Sequence, residues 1–268
     1  MKNFRPLILF VVFVLIVGLA CSFGGGDTPT QPAQPQQQEP TKPPLQQQEQ
    51  PTNTSLPEPT AVPAPTNTPV PEAPQFFTEE FDTPLSGNWD TLTVTGAADS
   101  DPDKVTVESK DGKLSWDFES TYVYYYLFYN AHTYEDVTLV VQADNRGRNN
   151  NSVSLICRYD PEVGWYEFNI ANNGLYDILY GEVTSNGDIQ YSTITNGGSN
   201  DIKQGKDINE YSISCVGNKL TLTINGHEVN SITEKNYALR EGQVGVSVSS
   251  FDVLPIQVEM DWIKIIEP

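Results

Sequence analysis

Basic residues are scarce in this chain. Lys and Arg together number 15 against 35 Asp and Glu, and the formal net charge is −20. After residue 75 there are 12 basic and 30 acidic residues, so that part alone carries about −18. A phosphate backbone is repelled by such a surface and no basic cluster offsets the repulsion, which excludes nucleic acid as a partner. Histidine is nearly absent: His132 and His227 stand far apart. With cysteine only at positions 21, 157 and 215, no zinc-ligand cluster can be composed from the sequence. There is no Gly-x-Ser-x-Gly elbow, phosphate loop or dinucleotide fingerprint, which removes the common serine hydrolases and nucleotide enzymes. After residue 75 no stretch holds a helical period over eleven or more residues.

The one long apolar run is at the start. Lys2 and Arg5 precede an unbroken apolar stretch from Leu7 to Ala20, followed by Cys21. A short positive segment, an apolar run below the ~20 residues of a spanning helix, and small residues before a cut site describe a secretory signal. The phrase VGLAC resembles a bacterial lipoprotein signal, which implies lipidation at Cys21, although Gly18 stands where a branched aliphatic residue is usual. An uncleaved anchor is the alternative. Either way residues 1–26 are expected to hold the chain at a membrane, with the remainder exported to the cell surface.

Residues 27–75 hold 14 Pro and 10 Gln and no aromatic residue. Such a segment buries too little apolar surface to offset its ordering entropy. Dense proline favours extended polyproline II, so a disordered Pro/Gln/Thr-rich stalk is expected between the membrane and a folded domain.

From residue 76 onward the pattern is one of short Val-, Ile-, Thr-, Tyr- and Phe-rich runs separated by Gly, Asn and Asp. The clearest strands predicted are 122–129, 137–143, 153–159, 165–171, 175–180, 211–216, 220–224, 244–248 and 256–266. Asn173-Gly174 and Asn225-Gly226 accept the positive φ angles of tight hairpins, and Gly217-Asn218 does similar work. Tight links make antiparallel neighbours, hence one all-β sandwich or barrel over residues 76–268. Cys157 and Cys215 are an even pair in an exported chain, which predicts a disulfide; two buried free thiols are the alternative.

The phrases ICRYDPEVGWYEFNIANNGLYDILY, SISCVGNKLTLTINGHEV, EGQVGVSVSS and VEMDWIKI resemble a concanavalin A-like (LamG-like) domain. They are most similar to the version found on bacterial lipoproteins behind Pro/Thr-rich stalks, a relative of the 3-keto-disaccharide hydrolases. The resemblance implies a two-sheet antiparallel jelly-roll sandwich that binds carbohydrate on a sheet face.

Three sets of residues are candidates for function. Tyr122, Tyr124, Tyr126 and Phe128 alternate onto one face of a strand, and with Arg158, Trp165 and Tyr166 they are expected to form an aromatic sugar platform; ordinary core packing is the competing reading. The alternating carboxylates Asp99, Asp101 and Asp103 suggest a Ca²⁺ loop, although Lys104 holds the Gly position of the full pattern, so a solvated acidic loop competes. Glu259 and Asp261 share one strand face, but Lys264 stands where laminarinase-type glycosidases carry a last Glu, which argues against catalysis there. The leading expectation is therefore a tethered domain that binds a glycan or cell-surface polysaccharide without catalysis. A glycoside or 3-keto-disaccharide hydrolase and a protein-binding adhesion module are the alternatives.

Overall fold

The computed structural model describes residues 72–268. The signal, Cys21 and the stalk through residue 71 lie outside the described residues.

Among the described residues, fifteen strands form two antiparallel sheets. In chain order they are β1 (Phe77–Glu79), β2 (Trp89–Thr95), β3 (Val105–Lys110), β4 (Lys113–Phe118), β5 (Val123–Tyr134), β6 (Val137–Asn145), β7 (Asn151–Asp160), β8 (Gly164–Ala171), β9 (Leu175–Val183), β10 (Ile189–Gly198), β11 (Ile208–Val216), β12 (Lys219–Ile224), β13 (His227–Thr233), β14 (Gly242–Ser250) and β15 (Ile256–Ile266). The first sheet runs β13-β12-β11-β6-β15-β4-β3, with β1 also on β15. The second runs β10-β9-β8-β7-β14-β5-β2. This is the expected jelly-roll sandwich.

Strand alternation decides what lies between the sheets. Val153, Leu155 and Cys157 of β7, Tyr166, Phe168 and Ile170 of β8, and Val244, Val246 and Val248 of β14 point inward. They meet Leu139 and Val141 of β6, Ile213 and Cys215 of β11, and Val258 and Ile263 of β15. Each full side chain removed from water there stabilises the fold by about 1.5–3 kcal/mol. Cys157 and Cys215 form the predicted disulfide and so link the two layers.

The hairpins follow their glycines. Asn225 and Gly226 both take positive φ, 49° and 83°, as a type I′ turn requires. At Asn173-Gly174 only Gly174 does so, while the Asn173 side chain accepts a hydrogen bond from the Leu175 N–H at 3.1 Å.

The domain edge is tied down before β1. Tyr129 and Tyr134 donate hydroxyl protons to the carbonyls of Pro74 and Gln75, each at 2.6 Å, and His132 Nε2 lies 2.7 Å from the Ala73 carbonyl. β5 thus grips three successive peptide groups with three side chains on one strand.

Candidate active site on the outer face of the second sheet

The outer face of the β10-to-β2 sheet carries the side chains that alternate away from the core. Along their middle the two central strands place Gly245, Ser247 and Ser249 (β14) and Ser152, Ser154 and Ile156 (β7) on this face, with Gln243 and Tyr159 beyond them at one end. Larger groups flank them: Tyr124, Tyr126 and Phe128 from β5, and Trp165, Glu167 and Asn169 from β8. The hydrogen-bond register lines up Tyr126, Ser247, Ser154, Asn169, Asp177 and Asn196 across the sheet. The face is therefore a polar row floored by small residues beside a hydrophobic cluster of Tyr126, Phe128, Ile156 and Trp165.

Glu167 is the centre of this arrangement. It is 2% exposed, and among the described residues no Lys, Arg or His pairs with it. Ser154 Oγ donates to Oε1 at 2.7 Å. Tyr126 OH and Trp165 Nε1 both donate to Oε2 at 3.2 Å. Burial pushes the carboxyl above the ordinary glutamate value, and the donors from Ser154, Trp165, Tyr126 and Asn169 oppose that rise without cancelling it. The chain of bonds continues outward, since Tyr126 OH lies 2.5 Å from Tyr191 OH on β10, and Tyr191 is partly exposed. An unbroken path of exchangeable protons joins a buried carboxyl to the surface. One strand away, Asp177 is partly exposed and is likewise raised by burial, against a hydrogen bond from Asn196.

Two glycines allow this packing. A Cβ on Gly181 would lie 2.4 Å from Trp165 Cε2, so only glycine lets the indole lie across β9 with its N–H on Glu167. A Cβ on Gly245 would lie 2.5 Å from Phe128 Cδ1.

The platform expected from sequence does not assemble as an exposed surface. Tyr126 and Trp165 are on the expected face but are 0% exposed, covered by Tyr191 and Tyr159 and by each other's neighbours. Tyr166 alternates inward, where its hydroxyl meets Glu234. Arg158 leaves the face altogether: at φ 56° its guanidinium turns into the fold and donates to the Glu135 and Leu239 carbonyls at 2.9 and 2.8 Å. Phe128 is buried as well, Tyr122 is exposed but precedes β5 at φ 53°, and Tyr124 keeps accessible ring on this face.

The Asp99–Asp103 loop folds as a 3₁₀ turn over Pro102–Lys104, capped by Asp101, whose Oδ1 accepts from the Asp103 N–H at 3.1 Å. Lys104 pairs with Asp101 at 3.5 Å. Among the described residues no three His, Cys, Asp or Glu side chains are grouped to hold a metal ion. Glu259 and Asp261 do share a partner on the first sheet: Lys113 Nζ lies 3.2 Å and 2.9 Å from them. Glu167, Asp177 and Tyr191 were missed by sequence reasoning. The signal for Glu167 was a lone carboxylate, two positions beyond Trp165, as the only charged residue of its strand.

Two stacked antiparallel sheets of this order define a concanavalin A-like jelly-roll protein. More particularly, residues 77–263 match the model of the 3-keto-α-glucoside-1,2-lyase-like domain, and the chain belongs to that family. None of the curated protein sequences matches it. Among solved structures, it is similar to the GH16 protein of the Bacteroides ovatus mixed linkage glucan PUL, in complex with a G4G4G3G product. Identity there is 11%, the match covers 71% of this chain and 99% of that one, and the TM-score is 0.52. LamAcat from Zobellia galactanivorans is similar at 10% identity, over 71% and 96% of the two chains, with a TM-score of 0.50. At these identities the likeness is one of fold. The family overturns the expectation of a purely binding module, and the leaning away from enzymes with it, because it is a lyase-like family and not a lectin-like one.

Proposed function

We propose that this domain cleaves 3-keto-α-glucosides by elimination across C1 and C2, with Glu167 as the proton acceptor acting through Tyr126 and Tyr191. The single observation that carries this reading is the hydrogen-bonded path from Glu167 through Tyr126 to Tyr191. The family supports the substrate class.

The chemistry asks for one proton to be taken and one returned. A ketone at C3 acidifies the C2–H bond. As that proton moves to Tyr191, the phenol proton of Tyr191 passes to Tyr126 and that of Tyr126 to Glu167. The C2–H electron pair becomes the C1–C2 double bond while the C1–O bond breaks. The departing oxygen takes a proton as the path runs in reverse, and Glu167 returns to the carboxylate. No net oxidation or reduction occurs. A carboxylate lifted toward neutrality by burial is a better acceptor than an ordinary one.

The test is incubation of the purified protein with methyl 3-keto-α-glucoside in ¹⁸O-water. The expected products are methanol and an unsaturated keto sugar with no ¹⁸O at C1. No methanol release would refute the reading. Saturated product carrying ¹⁸O at C1 would assign hydrolysis instead, a second reading favoured by one observation. Glu167 pairs with Leu179, which makes Asp177 its diagonal neighbour. Two carboxyl groups on one sheet face are the pair that glycoside hydrolysis requires.

We propose further that the domain is exported and tethered through Cys21, with residues 27–75 as spacer. The N-terminal apolar run, the small residues before Cys21 and the proline-rich composition support this. Labelling of the expressed chain with a fatty acid, lost in Cys21→Ser, is the expected result; equal labelling of both would refute it.

A further inference from the structure

The outer face has a second feature that the proton path does not use. A cavity of about 420 Å³ opens at its β2–β5–β14 corner, lined by Asp90, Phe128, Tyr159 and Gln243 among others. Its volume lies within the roughly 300–1,000 Å³ of small-molecule sites. Tyr159 stacks on Phe128 with centroids 3.7 Å apart and planes 12° from parallel. Phe128 can lie flat over β14 because position 245 is glycine. The corner therefore holds a plate formed by the partly exposed Tyr159 ring backed by the buried Phe128, with an exposed carboxylate at Asp90 and the partly exposed side chain of Gln243 beside it.

The cavity sits next to the proposed proton path. Tyr159 meets Trp165 at 5.5 Å between centroids, and Trp165 meets Tyr191 edge-on at 5.9 Å. Two ring-to-ring steps thus separate the plate from the phenol at which chemistry is proposed. We infer that this corner is the subsite for the leaving sugar of a disaccharide substrate, an inference that rests on the elimination reading above. An aromatic plate matches the C–H face of a pyranose. A carboxylate accepts hydrogen bonds from adjacent sugar hydroxyls, and an amide both accepts and donates, which together select a polyhydroxylated ring over an alkyl group. A sugar leaving group gains these interactions and a methyl group does not.

The experiment compares two substrates, 3-keto-maltose and methyl 3-keto-α-glucoside, on the full chain and on Asp90→Asn and Gln243→Ala. Neither side chain belongs to the Glu167 path, and turnover of the methyl substrate reports that each variant is folded. The expected result is a fall of about tenfold in kcat/KM for 3-keto-maltose in each variant, with the methyl substrate unchanged, as for one lost hydrogen bond of about 1.4 kcal/mol. Equal falls on both substrates, or none on either, would overturn the subsite. Saturation-transfer NMR with unoxidised maltose needs no turnover and separates the two readings. Should neither keto sugar react, the elimination reading fails. Saturation transfer to maltose that is seen with the unaltered chain and abolished in both variants would then still support a sugar site at this corner. Transfer of equal strength in all three proteins, or in none of them, would overturn it.

Discussion

Tyr126→Phe tests the proton path directly, because it removes one oxygen and little else. The Tyr126 ring is fully buried and stacks on Phe128 with planes 4° apart, and phenylalanine keeps that packing. What is lost is the donor to Glu167 Oε2 and the link to Tyr191. Trp165 Nε1 remains as a donor to the same oxygen. Loss of a hydrogen bond to a buried charged group should lower stability by about 1.5–3 kcal/mol. Loss of a general acid–base step should lower kcat by about 10²–10⁴-fold. The pH dependence has a definite sign. Glu167 accepts a proton only when ionised, so the acid limb of the rate profile lies at its raised value. The Tyr126 hydrogen bond holds that value down, so the limb should move to higher pH in the variant. Stability follows the same linkage. A carboxyl raised by folding contributes fully below the ordinary glutamate range and loses that contribution as pH rises through the shifted value. Steady-state kinetics from acid to neutral pH, with urea unfolding as the control, would read both effects. Tyr191→Phe should resemble Tyr126→Phe, and the double variant should be little worse than either, since both break one path. Wild-type kcat with an unmoved acid limb in Tyr126→Phe would refute the relay.

Three further expectations follow from the packing. The Cys157–Cys215 bridge spans 58 residues, so replacing both by Ala should lower unfolding stability by about 4 kcal/mol on the chain-entropy account; a shift below about 1 kcal/mol in urea would contradict it. Gly181→Ala should displace Trp165, which a Cβ there would approach to 2.4 Å, and destabilise by about 1–3 kcal/mol through overpacking, with a shift in tryptophan emission; an unchanged spectrum and midpoint would count against that close approach. A chain beginning at residue 76 loses the carbonyls of residues 73–75 held by Tyr129, His132 and Tyr134. It should unfold earlier than one beginning at residue 72 by about 0.5–1.5 kcal/mol for each bond, and coincident thermal transitions would remove the clamp.

Much of the sandwich was legible along the chain. Alternation over residues 122–129 grouped Tyr124, Tyr126 and Phe128 on one face, as the structure has them, but also Tyr122, which precedes β5 at φ 53°. The last strand was bounded at Ile256 and Ile266. Strands β1, β2, β3, β4, β10 and β13 were not legible. Each lies at or near a sheet edge, where Thr, Ser, Asn and charged residues replace the Val and Ile that mark a buried strand.

The sequence by itself determined period, polarity and turns: which residues alternate, where glycine admits positive φ, and which two cysteines the folded part holds for pairing. These are properties of neighbours along the chain. It did not determine which aromatic rings would meet solvent, because exposure on a sheet face is set by residues several strands away. Tyr126 and Trp165 are covered from β10 and β7 by Tyr191 and Tyr159, and Arg158 is turned inward by carbonyls on the segments after β5 and before β14. Glu167 became a candidate acid–base group for the same reason. Only the lateral register that sets Tyr126, Ser154 and Trp165 around it surrounds one carboxyl with donors, removes it from water and raises its affinity for a proton.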